Sequence, residues 1–120
     1  MSGEEFVTSG DDDDGAGPST IRLSLVVRDP AGNTRQVAFE RSLIKIGKQA
    51  SCHLVLDETR VSRLHAILEA APTKPLTLID LGSESGTFVN GQRINKAELQ
   101  AGDLIRIGGF RIMIAGIAVR

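Results

Sequence analysis

Apolar residues return at every second position over several stretches of the chain, the spacing at which side chains of an extended strand share one face. Ile21, Leu23, Leu25 and Val27 alternate with Arg22, Ser24, Val26 and Arg28, and the rhythm recurs in Val37 and Phe39 and in Phe110, Ile112 and Ile114. Turn-forming clusters separate these runs: Asp29-Pro30-Ala31-Gly32-Asn33, Asn90-Gly91, Ala101-Gly102-Asp103 and Gly108-Gly109. They follow one another too closely for a long helix. Asn90-Gly91 lies between Thr87-Phe88-Val89 and Gln92-Arg93-Ile94, and because both turn residues tolerate positive φ, a type I′ hairpin is predicted there. Short strands at close spacing predict an all-β domain, an antiparallel sandwich or barrel, with a mostly aliphatic core and the four Phe mainly inside it.

The pattern fails over residues 1–20, which carry Glu4, Glu5, Asp11, Asp12, Asp13 and Asp14 and no base. Gly10, Gly15, Gly17 and Pro18 interrupt regular structure, and too few apolar residues are present to offset the entropy of ordering. A disordered acidic tail over 1–20 and one domain over 21–120 are expected, since 120 residues bury a single core. Beyond the tail, nine acids face all 14 Lys and Arg, a formal excess of five positive charges. Trp and Tyr are absent and the bases are scattered along the sequence, so nucleic acid is not the expected partner. Cys52 stands alone and forms no internal disulfide, and no basic start followed by an apolar run marks a secretion signal. No stretch approaches the roughly 20 apolar residues of a membrane span. A soluble cytoplasmic protein without membrane contact is expected.

Candidate chemistry is confined to three segments. Ile46-Gly47-Lys48 is followed by Leu54-Val55-Leu56, then by Val61-Ser62-Arg63-Leu64-His65-Ala66, then by Asp80-Leu81-Gly82-Ser83-Glu84-Ser85-Gly86-Thr87-Phe88-Val89-Asn90-Gly91. Gly47, Gly82, Gly86 and Gly91 read as positions of positive φ or close backbone approach. Gly47-Lys48 lacks the upstream glycine and the following Ser or Thr of a phosphate-binding P-loop. Cys52, His53 and His65 match no common metal spacing. Ser62 and His65, three residues apart, have no third orienting group and no nucleophile-elbow glycines, so neither an enzyme nor a cofactor is expected. Ser62 also suits a turn in which it bonds its own backbone, and Lys48 and Arg63 suit solvated surface cations.

Read together, the ordered segments resemble the signature of the forkhead-associated (FHA) domain family: Gly-Arg, then Ser-x-x-His, then Gly-Thr-x-x-Asn-Gly. The resemblance covers essentially residues 21–115 and implies an FHA/SMAD-like antiparallel sandwich of about eleven strands whose end loops bind a phosphothreonine segment of a partner protein in Ser/Thr kinase signalling. A phosphate of about −1.5 to −2 charge demands rigidly held donors. By position, the resemblance gives Ser62 a hydroxyl contact to phosphate, Lys48 the charge usually supplied by Arg, and Arg63, Glu84 and Ser85 places in the phosphopeptide-binding surface. Gly47, His65, Gly86, Thr87 and Asn90 would support the site structurally, His65 by bracing the loops from behind. Glu84 and Ser85 stand where Thr and Asn are common, and His53 where an acid is usual. A carboxylate beside the pocket keeps a second reading open, a scaffold that binds its partner without phosphate. Thr8, with Asp11 three residues on, would be a phosphosite for another molecule's pocket, or part of a merely solubilising tail.

Overall fold

A computed structural model describes residues 20–119. The expectations for the acidic tail, including Thr8, lie outside them. Eleven strands run β1 (Ile21–Arg28), β2 (Thr34–Phe39), β3 (Leu43–Gly47), β4 (Leu54–Val55), β5 (Ala66–Glu69), β6 (Leu76–Asp80), β7 (Thr87–Val89), β8 (Gln92–Ile94), β9 (Lys96–Leu99), β10 (Leu104–Ile107) and β11 (Phe110–Val119). They form a six-stranded sheet ordered β2-β1-β11-β10-β7-β8 and a five-stranded sheet ordered β4-β3-β5-β6-β9. All pairings are antiparallel except the short parallel pair β3·β4.

The alternation in β1 puts Leu23, Leu25 and Val27 inside, opposite Ile44 and Ile46 of β3, Leu68 of β5 and Leu78 of β6 in one continuous core. Each such side chain, fully removed from water, contributes about 1.5–3 kcal/mol. On β11, Ile112 and Ile114 continue the inward face, and Ala115 is an extra residue where the register against β1 shifts between Ser24 and Leu25. That bulge lets the strand bend with the sheet. The core is aliphatic, yet of the three described Phe only Phe110 is buried in it. Phe39 packs at its margin, and Phe88 points outward beneath Arg106, whose guanidinium carbon lies 4.1 Å from the ring centroid. A cation over the ring face substitutes for burial.

The turn between β7 and β8 has φ of 50° at Asn90 and 85° at Gly91. Asn90 does more than turn the chain: its Oδ1 accepts the Leu104 N–H at 3.1 Å, its Nδ2 donates to Asp103 Oδ1 at 3.1 Å, and its N–H donates to the Leu104 carbonyl at 2.8 Å. The hairpin is thereby tied to the start of β10. Asn90→Ala keeps the backbone bond but removes both side-chain bonds and the residue type best suited to positive φ, so urea unfolding should show a loss of about 1–2 kcal/mol. Asn90→Gly, which relieves the φ restriction, should lose less.

Candidate functional site

Three loops meet at one end of the sandwich because β3, β6 and β7 end or begin there: residues 48–53, 56–65 and 81–86. Gly47 sets the first approach. A Cβ on it would lie 2.3 Å from the Arg63 carbonyl oxygen, so only glycine lets β3 end against that backbone. Past it, the Lys48 N–H donates to the Ser62 carbonyl at 3.0 Å and the Gln49 N–H to the Arg63 carbonyl at 3.1 Å. The first and second loops are therefore laced together through backbone.

His65 joins the second loop to the third. Fully buried, it accepts the Ser62 N–H on Nδ1 at 3.0 Å, while Nε2 lies 3.0 Å from the Gly86 carbonyl oxygen. An N–H can only donate and a carbonyl only accept, so the ring carries its proton on Nε2. Its own backbone closes the arrangement, with its N–H on the Ile46 carbonyl at 2.8 Å and its carbonyl taking the Leu81 N–H at 3.0 Å.

The third loop is organised by Asp80, which had no role in the sequence reading. Its mostly buried carboxylate accepts the Ser83 N–H at 3.0 Å, the Ser83 hydroxyl, and the Thr87 hydroxyl at 2.6 Å. Ser83 Oγ in turn accepts the Gly86 N–H at 3.1 Å. Burial pushes the Asp80 carboxyl up, but the Ser83 and Thr87 hydroxyls, the Ser83 N–H and the nearby His65 ring outweigh it and hold it below the usual carboxylate range. The Asp-x-x-Ser spacing, at which an Asp side chain can take the backbone N–H three residues on as a helix cap does, was the available signal.

These ties leave a groove of about 270 Å³ lined by Thr59, Arg60, Val61, Ser62, Glu84 and Ser85. Ser62, Glu84 and Ser85 are thus brought together. The Ser62 hydroxyl makes no hydrogen bond among the described residues, unlike a serine that bonds its own backbone. Ser85 differs: its hydroxyl donates across the groove to the Arg60 carbonyl, leaving its oxygen as an acceptor. Lys48 adjoins Ser62 through backbone without lining the groove, and Arg63, exposed, contributes its carbonyl to the lacing. Arg60 and Thr59 are additions from the structure, and only their nearness to Ser62 hinted at them. Arg60 is held by Glu58, whose Oε2 accepts its Nε–H at 3.1 Å and whose Oε1 accepts the Gly109 N–H at 3.2 Å. The Arg60 guanidinium keeps the Glu58 carboxyl below its usual range.

Cys52 and His53 both serve backbone. Cys52 Sγ lies 3.5 Å from the Arg63 carbonyl, and His53 Nδ1 accepts the Lys45 N–H at 2.9 Å, as a carboxylate at that position would. Burial of the His53 ring, with the charges of Arg41 and Lys45, lowers its pKa.

His65→Ala would orphan Ser62 N–H and Gly86 C=O and open a cavity, so it should cost about 2–5 kcal/mol in chemical unfolding. A variant as stable as wild type would show that the ring braces nothing. Asp80→Asn should show a stability loss with a pH signature. A carboxyl depressed in the folded state stabilises above its unfolded pKa of about 3.9, and that contribution fades as pH falls through the folded value. Wild type and variant should therefore converge in urea titrations below about pH 4.

The FHA domain family model matches residues 44–108. Among curated proteins, the chain is 30% identical over 96 residues to the glycogen accumulation regulator GarA of Mycobacterium tuberculosis, with 80% of this chain and 58% of GarA covered. It is 33% identical over 102 residues to the oxoglutarate dehydrogenase inhibitor of Corynebacterium efficiens, with 84% and 70% covered. A solved structure from a structural and functional analysis of phosphothreonine-dependent FHA domain interactions superposes with a TM-score of 0.65 at 27% identity, covering 85% of this chain and 98% of its own. The chain thus spans 58% of the length of GarA.

Proposed function

The chain belongs to the FHA domain family, and on that premise we propose that it is a protein–protein interaction module that holds a phosphothreonine segment of a partner in the groove beside Ser62. The partner would be made competent by a Ser/Thr kinase, and the module would act in kinase-linked regulation in the cytoplasm. Family and relatives point to a regulatory rather than catalytic protein. Among the described residues no helix is long and apolar enough to cross a membrane.

One observation carries the reading: Ser62, whose hydroxyl makes no hydrogen bond among the described residues, lines a groove that Arg60 also lines, and buried His65 fixes the backbone of that serine. A free hydroxyl on a fixed loop, with a cationic residue lining the same groove, suits a doubly charged tetrahedral anion. Lys48 and Arg63, on the laced backbone next to Ser62, would supply further charge. Gly47, Gly86, Thr87 and Asn90 would act through the loop and hairpin geometry.

Glu84 favours a second reading. It lines the same groove as Ser62, and a carboxylate there repels phosphate, so a scaffold that takes an unphosphorylated segment is the alternative. Titration of a phosphothreonine peptide library and its unphosphorylated twin, read by fluorescence anisotropy, separates the two. Phosphate-dependent binding should fall at least tenfold in Ser62→Ala, the loss of one hydrogen bond to a charged group at about 1.5–3 kcal/mol. Glu84→Gln should tighten the same binding about five- to tenfold, corresponding to roughly 1 kcal/mol of repulsion across a wet groove. Equal affinity for both peptide forms in wild type and both variants would make the scaffold reading correct.

A further inference from the structure

The outer face of the six-stranded sheet carries a row that the linear sequence hides. Strand register places Arg28 beside Arg111, Arg111 beside Arg106, Arg106 beside Phe88, and Phe88 beside Arg93, so four arginines and one ring cross five adjacent strands in a line. All four arginines are exposed. Arg106 lies over the Phe88 ring, and Arg93 reaches past Gly86 to within 3.5 Å of the Ser83 carbonyl. No ion pair joins any of the four to a carboxylate among the described residues, whereas Arg22 is paired with Glu40 and Arg60 with Glu58. The neighbouring acids are occupied: Asp29 caps its own turn through Asn33, and Glu58 holds Arg60 and Gly109. Like charges directly opposite on adjacent strands destabilise a sheet. Three of these arginines are so placed.

We propose that this arginine row is a docking surface for the chain's own acidic segment Asp11–Asp14, an electrostatic contact that needs no phosphate and is independent of the groove's function. Four consecutive aspartates meet four arginines. Reach selects the path. Arg28 lies at the far end of β1 from Ile21, about 23 Å away at roughly 3.3 Å per residue, and Arg106 is two strands over at about 4.8 Å each, about 25 Å from Ile21. Fully extended, a segment from Ile21 spans at most about 23 Å back to Asp14 and about 33 Å back to Asp11, less the few residues that reverse the chain at the start of β1. Running back along the outer face beside β1, the segment brings its aspartates to the row and to no more distant basic cluster. Four adjacent negative charges also repel one another and favour the extended form this path requires.

Amide spectra of the full chain test the contact, with salt as the first variable. In about 10 mM salt, where the screening length is about 30 Å, the amides of Arg28, Phe88, Arg106 and Arg111 should differ from their positions in about 1 M salt, where it is about 3 Å. Replacing Asp11, Asp12, Asp13 and Asp14 together by Asn should give the high-salt positions already at low salt. Reciprocally, Arg106→Glu with Arg111→Glu should move the Asp11–Asp14 amides to their high-salt positions while the core amides of β3 and β5 stay in place. These shifts should not change on dilution. The proposal is overturned if the Asn variant leaves the row's amides at their wild-type positions. It is overturned equally if the Asp11–Asp14 amides ignore the Arg-to-Glu changes, or if the shifts vanish on dilution, which would assign the acidic segment to a second copy.

Discussion

One buried imidazole sets the relative position of the loops at the groove. Ser62 N–H and Gly86 C=O face each other across the sandwich end with only His65 between them. A backbone donor or acceptor left without a partner away from water costs about as much as a lost hydrogen bond, so both loops are pinned to whatever satisfies those two groups. A ring with one acceptor nitrogen and one donor nitrogen does so in a single tautomer. No aliphatic residue of similar size has that pair of opposite polarities, and an ammonium or guanidinium offers donors only. The ring meets both backbone groups, as only a side chain with a donor and an acceptor can.

From that pin the other contacts follow in order of distance. Gly47 admits the second loop, Lys48 and Gln49 lace to it, and Asp80 with Ser83 and Thr87 shapes the third loop so that Gly86 turns its carbonyl toward the ring. Ser85 then bridges to Arg60, and Glu58 anchors Arg60 to the turn before β11. The groove is therefore bounded by loops whose backbones are determined several times over, while the Ser62 hydroxyl among its lining residues makes no hydrogen bond within the described residues. Its electrostatics are mixed: Arg60 is largely offset by Glu58, and Glu84 opposes whatever Lys48 and Arg63 supply. Net charge at the groove is small, so an anion held there depends on directed hydrogen bonds more than on field strength.

The strands were legible because their signal is local: Ile21 to Val27 and Phe110 to Ile114 state their inward faces by simple alternation, and Asn90-Gly91 states its turn by residue type. The segments that build the groove, the pair Ser62 and His65 among them, were legible through family resemblance. What stayed hidden is set by contacts between distant residues. Phe88 reads as core from composition, but its place on β7 turns it outward beneath Arg106. Ser85 reads as a contact for a partner, but its proton goes to the carbonyl of Arg60, 25 residues away in sequence. Arg60 had only its nearness to Ser62 as a local signal, because its place depends on Glu58 and Gly109, the latter 51 residues from Glu58.

The arginines show the same limit on the scale of a whole face. In sequence they stand at 28, 93, 106 and 111, and the bases read as scattered. Register aligns them, and register is fixed by the inward residues: Val27, Ile112 and Ile105 must face the core, so Arg28, Arg111 and Arg106 are turned out one position away. Slipping any strand by one residue would disperse the row, but it would also bring every buried side chain of that strand to the surface. The core therefore enforces a charge arrangement that is unfavourable by itself, and the chain accommodates it with the ring of Phe88 and with water. A surface whose charges are aligned by the core, and not by their own attraction, keeps its guanidiniums free to pair with carboxylates from outside the sheet, as the contact with Asp11–Asp14 requires.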